Sequence, residues 1–236
     1  MWVPPARSWL EAILPYALRR LAGQTGIAVE WEERRFSMST MTAPLPSPGL
    51  PPEPISVADY HRLIRSGILT EEDKVELLEG RIVPKMARNP PHDSAIQKFN
   101  RKLPRVLPPT NWEIRIQCAV TLEDSEPEPD AAVVRPSPDD YAQQHPGPAE
   151  IGMLAEVANS SLPEDRDKAR IYARARILCY WIINVIDRQI EVYTDPDSLA
   201  NPPCYRHRQD YTVGQSVPLV LDGQTVALLP VAELLP

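Results

Sequence analysis

With 236 residues, 43% hydrophobic and 24% charged, the chain is long enough for one sizeable core and has the composition of an ordinary globular protein. A net charge of −7 argues against a molecule that clings to nucleic acid through its overall field, so any such contact falls to a local patch. Three widely spaced cysteines (Cys118, Cys179, Cys204) fit neither a zinc spacing nor a disulfide framework, which points to a reducing, cytoplasmic setting. No apolar run approaches the roughly 20 residues of a membrane span.

The amino-terminal stretch from Trp9 to Leu21 is amphipathic but interrupted by Pro15, and no continuous signal-peptide core is present. Met38 or Met41 is the expected translation start, with the residues before it an upstream extension. Of 28 prolines, a cluster between Pro44 and Pro54 predicts an extended linker. The expected division is therefore an amino-terminal extension and disordered linker over 1–54 and one folded domain over 55–236.

Ser56-Val57-Ala58-Asp59 resembles a capping box and opens a helix over Val57 to Ser66, stopped by Gly67, with Leu63 and Ile64 inward. Val75 to Pro84 reads as two short strands around a Glu79-Gly80 turn. A helix through Glu71–Leu78 is the rival, set aside because of the central glycine and the β-branched pair Ile82-Val83. A second helix spans Pro91 to Leu103, ended by Pro104, with Ala95, Ile96, Phe99 and Leu103 on its buried face. Around it lie Lys85, Arg88, Lys98, Arg101, Lys102 and Arg105 with Asp93 as the sole acid, either a phosphate-binding patch or a solvated face.

Glu113 to Leu122 alternates as a half-buried strand, and Cys118 and Cys179 sit in apolar runs as small buried hydrophobes. Asp130 to Arg135 reads as a short buried strand, Pro136 to Gly147 as an irregular loop, and Ile151 to Ala158 as a third strand. A helix follows from Pro163 to Arg176, with Ala169, Tyr172, Ala173 and Ala175 inward. Tyr180 to Ile186 and Gln189 to Tyr193 form a hairpin around Asp187-Arg188. The tail alternates weakly and ends in a short helix over Val231 to Leu235. This is the pattern of a single α/β domain, a mixed sheet covered by a few helices.

Three residues in this frame suit metal-assisted phosphodiester chemistry. Asp130 follows a proline at a strand mouth, Glu156 stands between apolar neighbours on a buried strand, and Lys168 lies on the next helix. Two carboxylates suit a hard divalent cation such as Mg²⁺, and an ammonium group can orient or polarise the attacking water. Each has a plainer alternative: a solvated acidic loop, a strand-end acid reaching solvent or an arginine, and a solvated lysine. Glu76 is an acid in an apolar strand. His92, at a helix start, suits phosphate contact, proton transfer or a capping role. Ser160 and Ser161 lack a Gly-x-Ser-x-Gly elbow, which weighs against a serine hydrolase, and no Gly-rich phosphate loop is present.

Taken as an ordered set, these segments resemble the Uma-two family of restriction-endonuclease-like proteins, a branch of the PD-(D/E)xK nuclease superfamily. The resemblance runs from Ser56 to Leu235. It rests on Ser56-Val57-Ala58-Asp59-Tyr60, Val75-Glu76-Leu77-Leu78-Glu79-Gly80, Pro127-Glu128-Pro129-Asp130, Glu156-Val157-Ala158-Asn159-Ser160-Ser161-Leu162, Asp165 through Lys168 to Tyr172, and Tyr180-Trp181-Ile182-Ile183. It implies a restriction-endonuclease-like mixed β-sheet flanked by helices, with Asp130 and Glu156 as ligands to Mg²⁺ or Mn²⁺ and Glu76 as a third acid. It further implies Lys168 and His92 as catalytic residues, DNA as the partner, and a homodimer for double-strand cutting. Asn159 and Asn184 stand where relatives often carry Asp, and Arg176 where a helix-ending Gly is common. The alternative function is a catalytically inactive nuclease-fold protein that binds nucleic acid or a protein partner.

Overall fold

The computed structural model describes residues 53–236, so the expectations for the amphipathic stretch, Met38, Met41 and most of the proline linker lie outside the described residues. Helix α1 (Val57–Arg65) is capped by Ser56, whose hydroxyl oxygen accepts from the Asp59 amide at 3.1 Å and donates to its carboxylate at 2.8 Å. Leu63 is buried as expected, but Ile64 is exposed, because the nine-residue helix turns only one narrow stripe toward the small cluster of Ile55, Tyr60, Leu69, Val75 and Leu77.

Strands β1 (Val75–Leu78) and β2 (Arg81–Pro84) form the expected antiparallel hairpin. Its two turn residues, Glu79 and Gly80, both have positive φ (49° and 70°), the combination that matches the twist of a two-residue hairpin. Gly80 is required twice over, since a Cβ there would collide with Pro54. The rival helix through Glu71–Leu78 shrinks to one 3-10 turn at Glu71–Asp73.

Helix α2 (Pro90–Lys102) starts one residue earlier than its proline pattern implied, because Asn89 is the cap. Strand β3 (Glu113–Ile116) is shorter than the alternation from Glu113 to Leu122. Gln117 takes φ 54° and turns the chain out of the ladder, and Cys118 is only half-buried. Strands β4 (Ala131–Val134) and β5 (Ile151–Ala158) follow, then helix α3 (Leu162–Arg174) and strands β6 (Cys179–Asn184) and β7 (Gln189–Asp197). The weakly alternating tail contains β8 (Cys204–Thr212) and the β9–β10 hairpin (Ser216–Leu221 and Gln224–Pro230), and the expected terminal helix is a 3-10 turn at Val231–Glu233.

Strands β3 to β8 lie side by side in sequence order in one mixed sheet, with only the β5–β6 pair parallel. That pair needs a crossover, which α3 supplies. One sheet face (Ala131, Val133, Met153, Ala155, Val157, Trp181 and Ile183) packs on α2 and the β9–β10 hairpin, with Phe99 edge-on to Trp181 at 6.2 Å. The other (Ala132, Val134, Leu154, Ala158, Tyr180 and Ile182) packs on α3, where Tyr172 meets Tyr180 at 4.9 Å. Arg176, just past α3, has φ 60°, a conformation glycine adopts at far lower cost. Among the described residues, no helix is long and apolar enough to cross a membrane.

Candidate active site

The proline-stiffened acidic run is separated by its partners. Glu126 accepts from Thr121 Oγ1 at 2.9 Å and faces His61 Nε2 at 2.6 Å, and Glu128 pairs with Lys85. Asp130 instead turns under the mouth of β4. Its Oδ2 accepts from the Val157 amide at 2.8 Å and from His92 Nε2 at 3.1 Å, and its Oδ1 meets Gln117 Nε2 at 3.3 Å. The Asp130 amide in turn donates to Glu156 Oε2 at 3.2 Å. Since Ala131 pairs with Ala155, Asp130 and Glu156 are neighbours across the ladder, and the two are clasped reciprocally by backbone donors.

Glu156 lies on the α3 face of β5, the face shared by Leu154 and Ala158. Its Oε1 accepts from Lys168 Nζ at 3.1 Å and from Tyr172 Oη at 3.0 Å. Lys168 and Tyr172 are four residues apart on α3, so both reach the same side. Lys168 Nζ also lies 3.0 Å from Glu76 Oε1, and the Glu128 amide donates to Glu76 Oε2 at 3.0 Å. The β1–β2 hairpin delivers Glu76 because Glu126 N–H bonds Leu77 C=O at 2.7 Å and Gly80 N–H bonds Asp124 C=O at 2.8 Å. Lysine is thus a bridge between two buried acids, not the solvated residue that its charged neighbours suggest.

All five expected residues, Glu76, His92, Asp130, Glu156 and Lys168, line one cavity of about 480 Å³. Asp165 joins them. It stands in sequence among Glu164, Arg166 and Asp167, which are exposed, yet it is buried and accepts from Ser161 Oγ at 2.6 Å. Its position three residues before Lys168 was the available signal, since that spacing puts both on one helix face. Ser161 therefore serves this carboxylate, and Ser160 is exposed on the cavity rim.

Burial disfavours the charged form of Glu156, and Asp130, Asp165 and Glu76 add to that against the pull of Lys168, so its carboxyl is pushed up to about 8. Burial likewise pushes Asp165 up to about 6. Lys168 is opposite: burial would lower it, but Glu156 and Glu76 outweigh burial and hold it above the ordinary lysine value. Burial also opposes charge on Asp130 and His92, yet their mutual hydrogen bond wins, lowering the aspartate and raising the histidine. His92 Nδ1 is buried without a hydrogen-bond partner among the described residues, with Asp93 Oδ1 3.5 Å away.

Among the described residues, no three His, Cys, Asp or Glu side chains form a ready-made metal cage. The donor chemistry nevertheless suits a hard divalent ion. Glu76, Asp130, Glu156 and Asp165 bring four carboxyl groups around the Lys168 ammonium and the His92 imidazole, a set rich in oxygen donors. Asp130 Oδ1 and Glu156 Oε2 carry only single contacts, at 3.3 and 3.2 Å. Mg²⁺ is commonly held by one or two carboxylates, with water and phosphate oxygens completing its shell.

A family model named Uma2 and described as "Putative restriction endonuclease" matches residues 57–229. Among solved structures, one from Anabaena variabilis ATCC 29413, described as "a putative nuclease belonging to DUF820", superposes with a TM-score of 0.61. That match has 15% identity and covers 77% of this chain and 97% of the other. At that identity the likeness speaks for the fold. No curated protein matches the chain.

Proposed function

Because the chain belongs to the Uma2 family of restriction-endonuclease-like proteins, we propose that it is a Mg²⁺-dependent endonuclease that hydrolyses DNA phosphodiester bonds. The observation that carries this reading is the convergence of Asp130, Glu156 and Lys168 in one cavity, with Lys168 Nζ 3.1 Å from Glu156. Asp130 and Glu156, with Glu76 behind Lys168, would hold Mg²⁺ or Mn²⁺. Such an ion, when bound, polarises a phosphoryl oxygen and makes water a stronger nucleophile.

The chain's own groups do the rest. Hydrolysis adds a water oxygen to phosphorus, breaks one P–O ester bond and returns a proton to the departing oxygen. Lys168, kept protonated by its two carboxylates, orients that water through its N–H donors and steadies the charge developing on phosphorus. Tyr172 fixes the rotamer of Glu156 through Oη. His92, raised by Asp130, keeps its proton to higher pH and holds the Asp130 carboxylate in place through Nε2.

The test is a cleavage assay on DNA with and without Mg²⁺ or Mn²⁺, alongside Asp130→Ala and Lys168→Ala. Metal-dependent cleavage lost in both variants is expected. Cleavage unchanged in both would reject the site, and DNA bound but never cut would favour the inactive nuclease-fold alternative.

A further inference from the structure

Lys85, Arg88, His92 and Lys168 are the basic side chains that line the cavity. Three of them face acids: Lys85 pairs with Glu128, His92 with Asp130, and Lys168 with Glu76 and Glu156. Arg88 differs. It is exposed, and among the described residues no carboxylate pairs with it. Its Nη1 donates to Gln117 Oε1 at 2.6 Å, which occupies one of the five N–H donors of a guanidinium. The rest of that fork matches two oxygens of a phosphate. Arg88 is thus the cavity cation whose charge no acid has neutralised.

The amide that holds Arg88 also holds Asp130. Gln117 Nε2 donates to Asp130 Oδ1 at 3.3 Å, and the Gln117 backbone N–H donates to the Asp130 carbonyl at 3.2 Å. Gln117 therefore grips Asp130 twice, and its remaining side-chain oxygen meets the guanidinium. It does so from φ 54°, a conformation that costs a non-glycine residue and that ends β3 at this point. Strain of this kind persists where the surroundings fix one orientation of a side chain. Arg88 itself directly precedes Asn89, the cap of α2, so the helix that brings His92 to Asp130 also sets Arg88 at the cavity.

We infer that Arg88 grips a phosphate of the DNA strand at the cavity, and that Gln117 is the positioning residue that ties this grip to Asp130. The inference rests on the nuclease reading above and names the side chain through which the site holds its substrate. Without the Gln117 amide, the long arginine side chain loses its fixed direction and Asp130 Oδ1 loses its contact. Loss of Gln117 therefore touches both substrate binding and chemistry, whereas loss of Arg88 touches mainly binding.

Fluorescence anisotropy of the full chain with a labelled mixed-sequence duplex in Ca²⁺ reads binding, and steady-state cleavage in Mg²⁺ reads kcat and KM. Arg88→Ala should weaken binding by about tenfold or more. It should also make the dependence of log affinity on log salt shallower by about 0.9, as one lost phosphate contact requires. Asparagine suits a positive φ but is too short to span Asp130 and Arg88, so Gln117→Asn should keep the melting temperature. That variant should lower kcat as well as raise KM, while Arg88→Ala acts chiefly on KM. In the double variant, binding should fall no further than in Arg88→Ala alone, because Gln117 reaches the phosphate only through Arg88. An unchanged salt slope in Arg88→Ala, or binding losses that add in the double variant, overturns the inference. Metal-dependent cleavage indifferent to both substitutions overturns it while the nuclease reading stands. Binding that depends on Arg88 and Gln117, without cleavage in Mg²⁺ or Mn²⁺, supports it and overturns the nuclease reading.

Discussion

Replacing Lys168 with methionine keeps the aliphatic stem and removes only the ammonium that lies 3.0 Å from Glu76 and 3.1 Å from Glu156. Both carboxylates are buried, 7% and 4% exposed at their side chains, so neither recovers its lost partner from water. Breaking a buried ion pair by deleting one member costs about 3–5 kcal/mol, because the remaining charge stays desolvated. For a chain of this size, each kcal/mol moves the melting temperature by about 2–4 °C, so a fall of roughly 6–20 °C is expected at pH 8. Lys168→Met combined with Glu156→Gln should recover part of the loss, since the double variant carries one buried ionisable acid fewer. Differential scanning fluorimetry of the metal-free protein compares both variants with the wild type. A shift under about 2 °C for Lys168→Met at pH 8 would refute the reasoning and return Lys168 to solvent.

The folded state binds the Glu156 proton more tightly than the unfolded chain. The stability this gives is therefore complete below about 4.5 and lost as pH rises toward 8, at up to about 1.4 kcal/mol per pH unit. Denaturant melts across that window should show the slope in the wild type and its reduction in Glu156→Gln. His92→Ala removes the partner that lowers Asp130 and should slow cleavage by about 10²-fold or more, with a changed pH–rate profile in steady-state assays. Phe99→Ala opens a hole against Trp181 and should cost about 3–5 kcal/mol in urea denaturation, without a direct change at the carboxylates. Arg176→Gly should stabilise by about 1 kcal/mol in the same assay, because φ at that position is 60°.

Local chemistry made the central part of the fold legible in the sequence. The eight-residue apolar run of β5, the Ser56 cap and the two-residue turn at Glu79-Gly80 each specify an element from their own residues. Period-two alternation groups Glu156 with Leu154 and Ala158, and the structure packs that face under α3. What failed depended on distant partners. The alternation after Ile116 continues in sequence, but Gln117 N–H bonds Asp130 C=O and Val120 N–H bonds Pro127 C=O, so the chain follows the acidic segment instead of the sheet. Strand β8 has almost no buried side chains to betray it, since it lies at the edge of the sheet. In the basic stretch around α2, the partners of Lys98 and Lys102 were not readable, because the Leu235 carbonyl and Glu233 lie more than a hundred residues away in sequence. Asp165 was obscured by its charged neighbours, although its helix face was readable.

The reciprocal clasp between Asp130 and Glu156 makes two of the proposed ligands part of the sheet's own ladder. Their spacing is thus inherited from the register of β4 on β5, and a slip of one residue would turn Glu156 onto the face of Met153 and Ala155. Fraying of the pair and loss of the site become a single event. No partly opened form with β4 detached should retain cation affinity, so cation binding and β-sheet circular dichroism should disappear together along one denaturation curve.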